Sequence, residues 1–328
     1  MMTINDIARL AGVSKSTVSR VMTNPQMVKK ETREKILAVI NKEHFVPNNI
    51  AQNLTGAPSK TIGVVIDELA NYFFVEILAG IEKVLSSAGY SMQICSSQWI
   101  AEREMTQTQS LVSKRVDGIL LAPLSSSSPS INFVMQSNVP LVVFNCIPDN
   151  PLCAYVTIDN KEGGRLVGKH MNEIHSTQNI VICGFEHQTI KDRVEGCKET
   201  LEHPEEVIIY RDVSTFEASE TLVPTLIQQN HIDKIPTTLF ITNDNVAIGI
   251  LCKILQAGIS IPNQVSIIGY DDILMANLCR IPLTTISQEP RKIGMLAAQK
   301  LLDIISAKAK PSVDTLLTPH LVLRESSK

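Results

Sequence analysis

A chain of 328 residues exceeds what one ordinary hydrophobic core organises, so two or three domains are expected. Its composition, 44% hydrophobic and 19% charged, is that of a soluble globular protein, and no stretch approaches the ~18 unbroken apolar residues of a membrane span. Charge is uneven: residues 1–60 carry nine Lys/Arg against four Asp/Glu, the rest 21 against 29, a basic head on an acidic body that suits one end meeting a polyanion.

The first 25 residues lack the apolar core of a signal peptide. The seven scattered cysteines form no C-x-x-C pair, which argues for free thiols and against a disulfide frame or zinc site. Both observations point to the cytoplasm. No metal or cofactor is expected.

In the head, Thr3 and Asp6 stand at capping-box spacing before a helix over Ile4–Ala11, with Ile7, Ala8 and Leu10 expected inside. Gly12 closes it, and Ser14 caps a second helix over Lys15–Met22 that stops at Asn24-Pro25. Ala8, Gly12 and Val18 fall at helix-turn-helix offsets: a small residue lets the helices cross, a glycine turns the chain, a branched residue plugs the angle. With Val18 and Val21 buried, the other face presents Lys15, Ser16, Thr17, Ser19 and Arg20, which suits a helix in a DNA major groove. Lys15 and Ser16 are the candidate base readers. Thr3, Ser14, Thr17, Ser19, Arg20 and Asn24 complete the candidate DNA contacts in the head, and the helix N-terminus adds attraction for phosphate. Read alone, SKSTVSRV also fits a solvated polar helix. A third helix over Lys30–Lys42 offers Ile36, Leu37 and Ile40 to the small core. In FVPNNIAQNLTGAP, residues Asn48–Leu54 suffice for two helical turns, too short to hold alone in water.

The body alternates apolar strands with helical segments. Strands are expected at 61–66, 90–95, 118–123, 141–144, 155–158, 179–184, 206–210, 237–241 and 265–270. Helices are expected near 73–88, 101–115, 130–138, 161–175, 190–201, 216–230 and 244–257. Near-continuous apolar strands imply parallel sheets covered on both faces, and two such series imply two doubly wound α/β subdomains. One more helix, Pro290–Ile305, and two short strands near 314–317 and 320–323 follow. A cleft between two lobes places ligand at the carboxyl ends of strands. The polar groups just past strands are Asp67, Glu68, Asn145, Asp159, Asn243, Asp244, Asp271 and Asp272, with Arg193 at a helix start. Carboxylates, amides and one arginine suit a polyhydroxyl ligand. Asn243 and Asp271 also fit plain capping roles, and Phe73 and Phe74 also fit the core.

TINDIARLAGVSKSTVSRVM, KKETREKILAVINKEHFVPNNIAQNLTG, NDNVAIG, IPNQVSIIGYDD and PLTTISQEPRKIG together resemble the lactose/galactose repressor family along essentially the whole chain. The resemblance implies a helix-turn-helix head over 1–47 and a hinge helix and linker over 48–60. It implies an N-terminal effector subdomain of periplasmic-binding-protein type over 61–157 with 288–317, and a C-terminal one over 158–287 with 318–328. In that family Lys15, Ser16 and Arg20 match operator-reading positions, and Asn48–Leu54 matches the hinge. Leu54 matches a minor-groove wedge, with Ala51 and Asn53 beside it; read without the resemblance, Leu54 is a packing leucine. Asn145, Arg193, Asn243 and Asp271 match effector-pocket positions, and Phe73 and Phe74 match stacking aromatics. Phe216 and Gln288 complete the candidate effector contacts. Asn145 departs from the aspartate common there, and Pro290 from an aromatic.

The implied function is a homodimeric repressor on a palindromic double-stranded DNA operator, governed by a sugar, sugar acid or sugar phosphate. Competing readings are a sugar-binding transport protein, a regulator whose body binds a protein partner, and an α/β enzyme. For the last, no G-x-S-x-G is present, GAPSKT lacks the spacing of a phosphate loop, and the histidines form no H-x-x-x-H or H-E-x-x-H pattern. His187, in GFEH, is expected in a solvated loop.

Overall fold

A computed structural model of the chain describes residues 2–45, 58–184, 187–307 and 314–328. The expected hinge, including Asn48, Ala51, Asn53 and Leu54, lies outside these described residues. The chain divides into two compact units, Met1–Ser59 and Lys60–Lys328.

The first unit holds α1 (Ile4–Ala11), α2 (Lys15–Thr23) and α3 (Lys30–Lys42), with a short 3-10 turn at Pro25–Met27 after α2. The capping box forms: Thr3 Oγ1 accepts from the Asp6 amide, and Asp6 Oδ2 accepts from the Thr3 amide at 3.0 Å. Gly12 takes the left-handed conformation, φ 64°, and its N–H returns to the carbonyls of Ala8 and Arg9. The core is Ile7, Ala8, Ala11, Val18, Val21 and Ile36. Two expectations fail here. Leu10 is 51% exposed and Leu37 is also exposed. A helix turns about 100° per residue, so Ala8 and Ala11 fall to one side of Ile7 and Leu10 to the other. The eight-residue helix can bury only one such stripe.

The second unit contains two α/β lobes. The first carries a six-stranded parallel sheet in the order β11-β5-β4-β3-β1-β2. Its strands are β1 (Thr61–Ile66), β2 (Ser91–Ser96), β3 (Gly118–Leu121), β4 (Leu141–Phe144), β5 (Ala154–Ile158) and, far along the chain, β11 (Leu316–Leu317). The second carries β6 (Gln178–Ile182), β7 (Ile208–Tyr210), β8 (Thr237–Ile241) and β9 (Val265–Ile268) in the order β7-β6-β8-β9, all parallel. An antiparallel pair joins β10 (Thr285–Ser287) to β12 (His320–Val322). β10 and a five-residue helix at Leu274–Leu278 were not expected. Both are shorter than the windows that reveal periodicity. The strand expected from residue 206 begins at Ile208, because Pro204–Glu206 forms a 3-10 turn that Pro204 can open.

Helices α4 (Tyr72–Ser87), α5 (Ala101–Ser113), α6 (Pro129–Gln136) and α12 (Pro290–Ser306) belong with the first sheet. Helices α7 (Asn160–Ile174), α8 (Gln188–Thr200), α9 (Ala218–Asn230) and α10 (Asp244–Gln256) belong with the second; α11 is the short Leu274–Leu278 helix. In each lobe one helix pair meets backbone to backbone. A Cβ on Gly80 of α4 would strike the Arg291 carbonyl, and one on Gly294 of α12 the Ile77 carbonyl. In the second lobe Gly164 of α7 faces the Arg193 carbonyl and Gly196 of α8 faces that of Lys161. These approaches return α12 to the first lobe and hold the α8 turn that carries Arg193.

Candidate functional site

In the head, Val18 and Val21 are buried and Lys15, Ser16, Ser19 and Arg20 are exposed on the opposite face of α2. Ser14 caps the helix: its Oγ accepts from the Thr17 amide at 3.2 Å and lies 2.8 Å from the hydroxyls of both Ser16 and Thr17. This hydroxyl cluster sits at the end of α2 where amides lack intrahelical partners, a place that attracts phosphate. Thr3 and Asn24 are exposed, but the Thr3 hydroxyl is occupied by Asp6 at 2.7 Å. Thr3 and Ser14 are thus both committed to helix caps.

In the body a cavity of about 380 Å³ opens between the lobes, within the range of small-molecule sites. Phe73, Phe74, Asn145, Arg193, Phe216, Asn243 and Asp271 all line it; Gln288 does not. The second lobe's wall is a wired network. Arg193 is 4% exposed. Its Nε donates to Asn160 Oδ1 at 2.8 Å, its Nη1 to the Thr242 carbonyl at 2.7 Å, and its guanidinium lies 3.9 Å from the centroid of the Tyr270 ring. Asp271 Oδ1 sits 3.6 Å from Arg193 Nη1 and accepts from Gln288 Nε2 at 2.5 Å. Gln288 thus stands behind the wall and orients Asp271. Burial pushes the Asp271 carboxyl up to about 8, against the pull of Arg193 and with the push of Asp244. Its backbone is held at φ 130°, a sparsely populated conformation for an aspartate, and its amide donates to the Ile286 carbonyl on β10 at 2.9 Å. The unexpected strand β10 is what fixes this residue.

Phe73 and Phe74 are both core and cavity wall, with rings edge-to-face at 5.4 Å. The two readings of these residues are compatible because the cavity floor is the top of the first lobe's core. Asn243 likewise does both: it caps α10, accepting from the Val246 amide at 2.9 Å, and lines the cavity. Phe216, 46% exposed, stands at the rim before α9.

Asp159, Asp244 and Asp272, also just past strands, have structural partners. Asp159 caps α7 at the Glu162 amide. Asp244 is buried, accepting from Thr285 Oγ1 at 2.7 Å and the Ile273 amide at 3.1 Å, and burial raises its carboxyl to about 6. Asp272 pairs with Arg324 at 2.6 Å.

His187 contradicts its expected place in solvent. It is buried, lines the cavity and caps α8. Its Nε2 lies 3.2 Å from the Pro123 carbonyl and its Nδ1 2.7 Å from Thr189 Oγ1. The carbonyl can only accept, so Nε2 carries the proton, and burial lowers the imidazole's basicity. Because Pro123 follows β3, this bond spans the two lobes, as does Asn245 Nδ2 donating to Asn71 Oδ1 at 2.8 Å. A lone histidine after Gly-Phe-Glu carries no sequence mark of burial; only the closing of the lobes buries it. Tyr72, at the first turn of α4, also lines the cavity, as do Trp99, Ser214 and Thr215 from loops whose sequence has no period to read.

The chain's first region, residues 3–48, matches the family described as bacterial regulatory proteins, lacI family, and residues 175–327 match a periplasmic binding protein-like domain. The HTH-type transcriptional repressor PurR of Vibrio parahaemolyticus serotype O3:K6 is 31% identical over 334 residues, covering 100% of this chain and 99% of that protein. The Lac repressor dimer bound to operator and the anti-inducer ONPF superposes with a TM-score of 0.84 at 26% identity, covering 99% of this chain and 98% of the other. A LacI family transcriptional regulator from Enterococcus faecalis V583 with bound ribose gives a TM-score of 0.73 at 29% identity, over 81% of this chain and 98% of that one. Among the described residues no helix is long and apolar enough to cross a membrane.

Proposed function

Because the chain belongs to the lacI family of bacterial regulatory proteins, and is a DNA-binding repressor whose operator affinity answers to a small effector, we propose that it works as a cytoplasmic homodimer on a palindromic operator. One α2 from each protomer enters the major groove of each half-site. Lys15 and Ser16 read base edges; Ser14, Thr17, Ser19 and Arg20 hold phosphates. Residues 48–60 link the head to the effector subdomains, 61–157 with 288–317 and 158–287 with 318–328. Asn48–Leu54 pair across the dyad, and Leu54 enters the minor groove.

The effector sits between the lobes on the wall of Arg193, Asn243 and Asp271 and under Phe73, Phe74 and Phe216. A polar molecule with ring hydroxyls fits that mixture of aromatic faces and acceptors, and the similar regulator with bound ribose supports a sugar-like effector. Its contacts with both lobes differ between open and closed arrangements, so it biases the lobe angle and through it the pairing of the linkers.

The observation that carries this reading is the exposed polar face of α2 backed by buried Val18 and Val21. The test is fluorescence anisotropy of a labelled palindromic duplex with full-length protein across a salt series. Affinity should fall steeply and linearly on logarithmic axes. Lys15→Ala should weaken site-selective binding, and Leu54→Ala should lose operator affinity while effector binding persists. Identical binding of palindromic and scrambled duplexes at every salt concentration would falsify the proposal.

A further inference from the structure

The cavity's charges do not balance. Arg193 is the one lysine or arginine among its described lining residues, and Asp271 faces it at 3.6 Å. Arg193 is further engaged by Asn160 and the Thr242 carbonyl and stacked on Tyr270. His187 is neutral, its imidazole desolvated by burial. Three more carboxyls line the same space: Asp67, Glu68 and Glu217.

Asp67 is the informative one. It directly follows β1, is 3% exposed, and its Oδ1 is buried without a hydrogen-bond partner. The Asp67 carbonyl accepts from the Gln98 amide at 2.8 Å and Ser96 Oγ at 2.9 Å, so the residue is held in place with an idle side-chain acceptor. Asn145 Oδ1, across the same wall, is idle in the same way. A buried acceptor without a donor is unfavourable, and a chain keeps two of them beside a cavity when a ligand supplies the donors. Burial first, then the nearby Glu104 and Glu68, hold the Asp67 carboxyl well above the ordinary aspartate value. A cation placed against it would restore the carboxylate. An anion would find the one arginine already engaged and acidic side chains along the rest of the lining.

Resting on the regulator reading above, we propose that the effector is a sugar-sized ring bearing hydroxyls and a protonated amine, with the ammonium held by Asp67, and that carboxylated and phosphorylated sugars are rejected. The aromatic lining fits the same ligand: Phe73 and Phe74 offer ring surface to its CH face, and Tyr72 and Trp99 at the rim attract a cation approaching over their faces.

The test is calorimetric titration of the full-length protein at low ionic strength with four ligands that share one ring size and differ in charge: D-glucosamine, D-glucose, D-gluconate and D-glucose 6-phosphate. Glucosamine should bind about tenfold or more tighter than glucose, and both anions should bind more weakly than glucose. In Asp67→Asn the preference for glucosamine over glucose should vanish. The wild-type series decides the matter even if that variant does not fold. An anion binding as tightly as glucose, glucosamine no tighter than glucose, a preference surviving in Asp67→Asn, or no binding by any of the four at millimolar concentration each overturns the assignment. Operator binding, measured by anisotropy on the same preparation without sugar, is independent of this outcome. If it persists while the series fails, only the ligand assignment falls; if it is absent, the regulator reading falls.

Discussion

The two walls of the cavity are built on different principles. On the second lobe, Arg193, Asp271, Asn160 and Tyr270 hold one another, with Gln288 bonded to Asp271, so the charged groups are positioned whether or not a ligand is present. On the first lobe, Asp67 and Asn145 are positioned by their strands and leave acceptors idle. The first arrangement spends its interactions on the fold; the second reserves them. Damage to the first wall should therefore register as lost stability, and damage to the second as altered ligand choice.

The largest expected effect sharpens that contrast. Arg193→Ala leaves the Thr242 carbonyl and Asn160 Oδ1 without their donor and Asp271 without its cation. It should cost about 3–5 kcal/mol of body stability in urea unfolding, while Asp67→Asn costs little or stabilises. Comparable losses in both variants would erase the distinction between the walls.

The pH dependence tests the same wall. Asp271 and Asp244 have folded-state values raised by burial to about 8 and about 6, above the ordinary aspartate value of 3.8. Below that value both states are protonated and the two groups have no effect on the pH dependence. Above it the unfolded chain ionises first, so body stability should decline as pH rises from about 4 to about 8. Calorimetric melting temperatures across that window should show the decline, and Asp271→Asn should make it shallower. A melting temperature that climbs with pH to 8 in the wild type would contradict the raised carboxyls.

Away from the cavity, Gly80→Ala drives a methyl group into the Arg291 carbonyl and should cost about 1–3 kcal/mol. It bears on the first lobe's packing and should leave the head's unfolding transition unmoved. The smallest effect belongs to the head. Ser14→Ala removes the cap of α2 and should lower head stability by about 1 kcal/mol. It should weaken operator binding and leave ligand titrations unaltered, a separation readable by anisotropy and calorimetry on one sample.

Much of the fold was legible because its signals are local. α1 falls where its capping residues put it and α3 where its apolar spacing does, and β1, β4 and β8 are apolar runs of strand length. Seven of the eight cavity candidates, Phe73 through Asp271, could be named from one rule, that ligands lie beyond strand ends, joined to a family pattern. The eighth, Gln288, acts one shell back, a distinction that depends on where β10 runs. Leu10 and Leu37 were misplaced because apolar character says what can be buried, while the small head has room for one stripe per helix.

The sequence by itself determined the helix-turn-helix head, the alternation of strands and helices, and the basic-acidic division, since caps, turns and periodicity act within a few residues. Tertiary structure alone decided that His187 is buried, that Asp271 faces Arg193, and that Asp67 keeps an unused acceptor. Those properties arise where segments distant in the chain exclude water together, and solvent exclusion has no local signature.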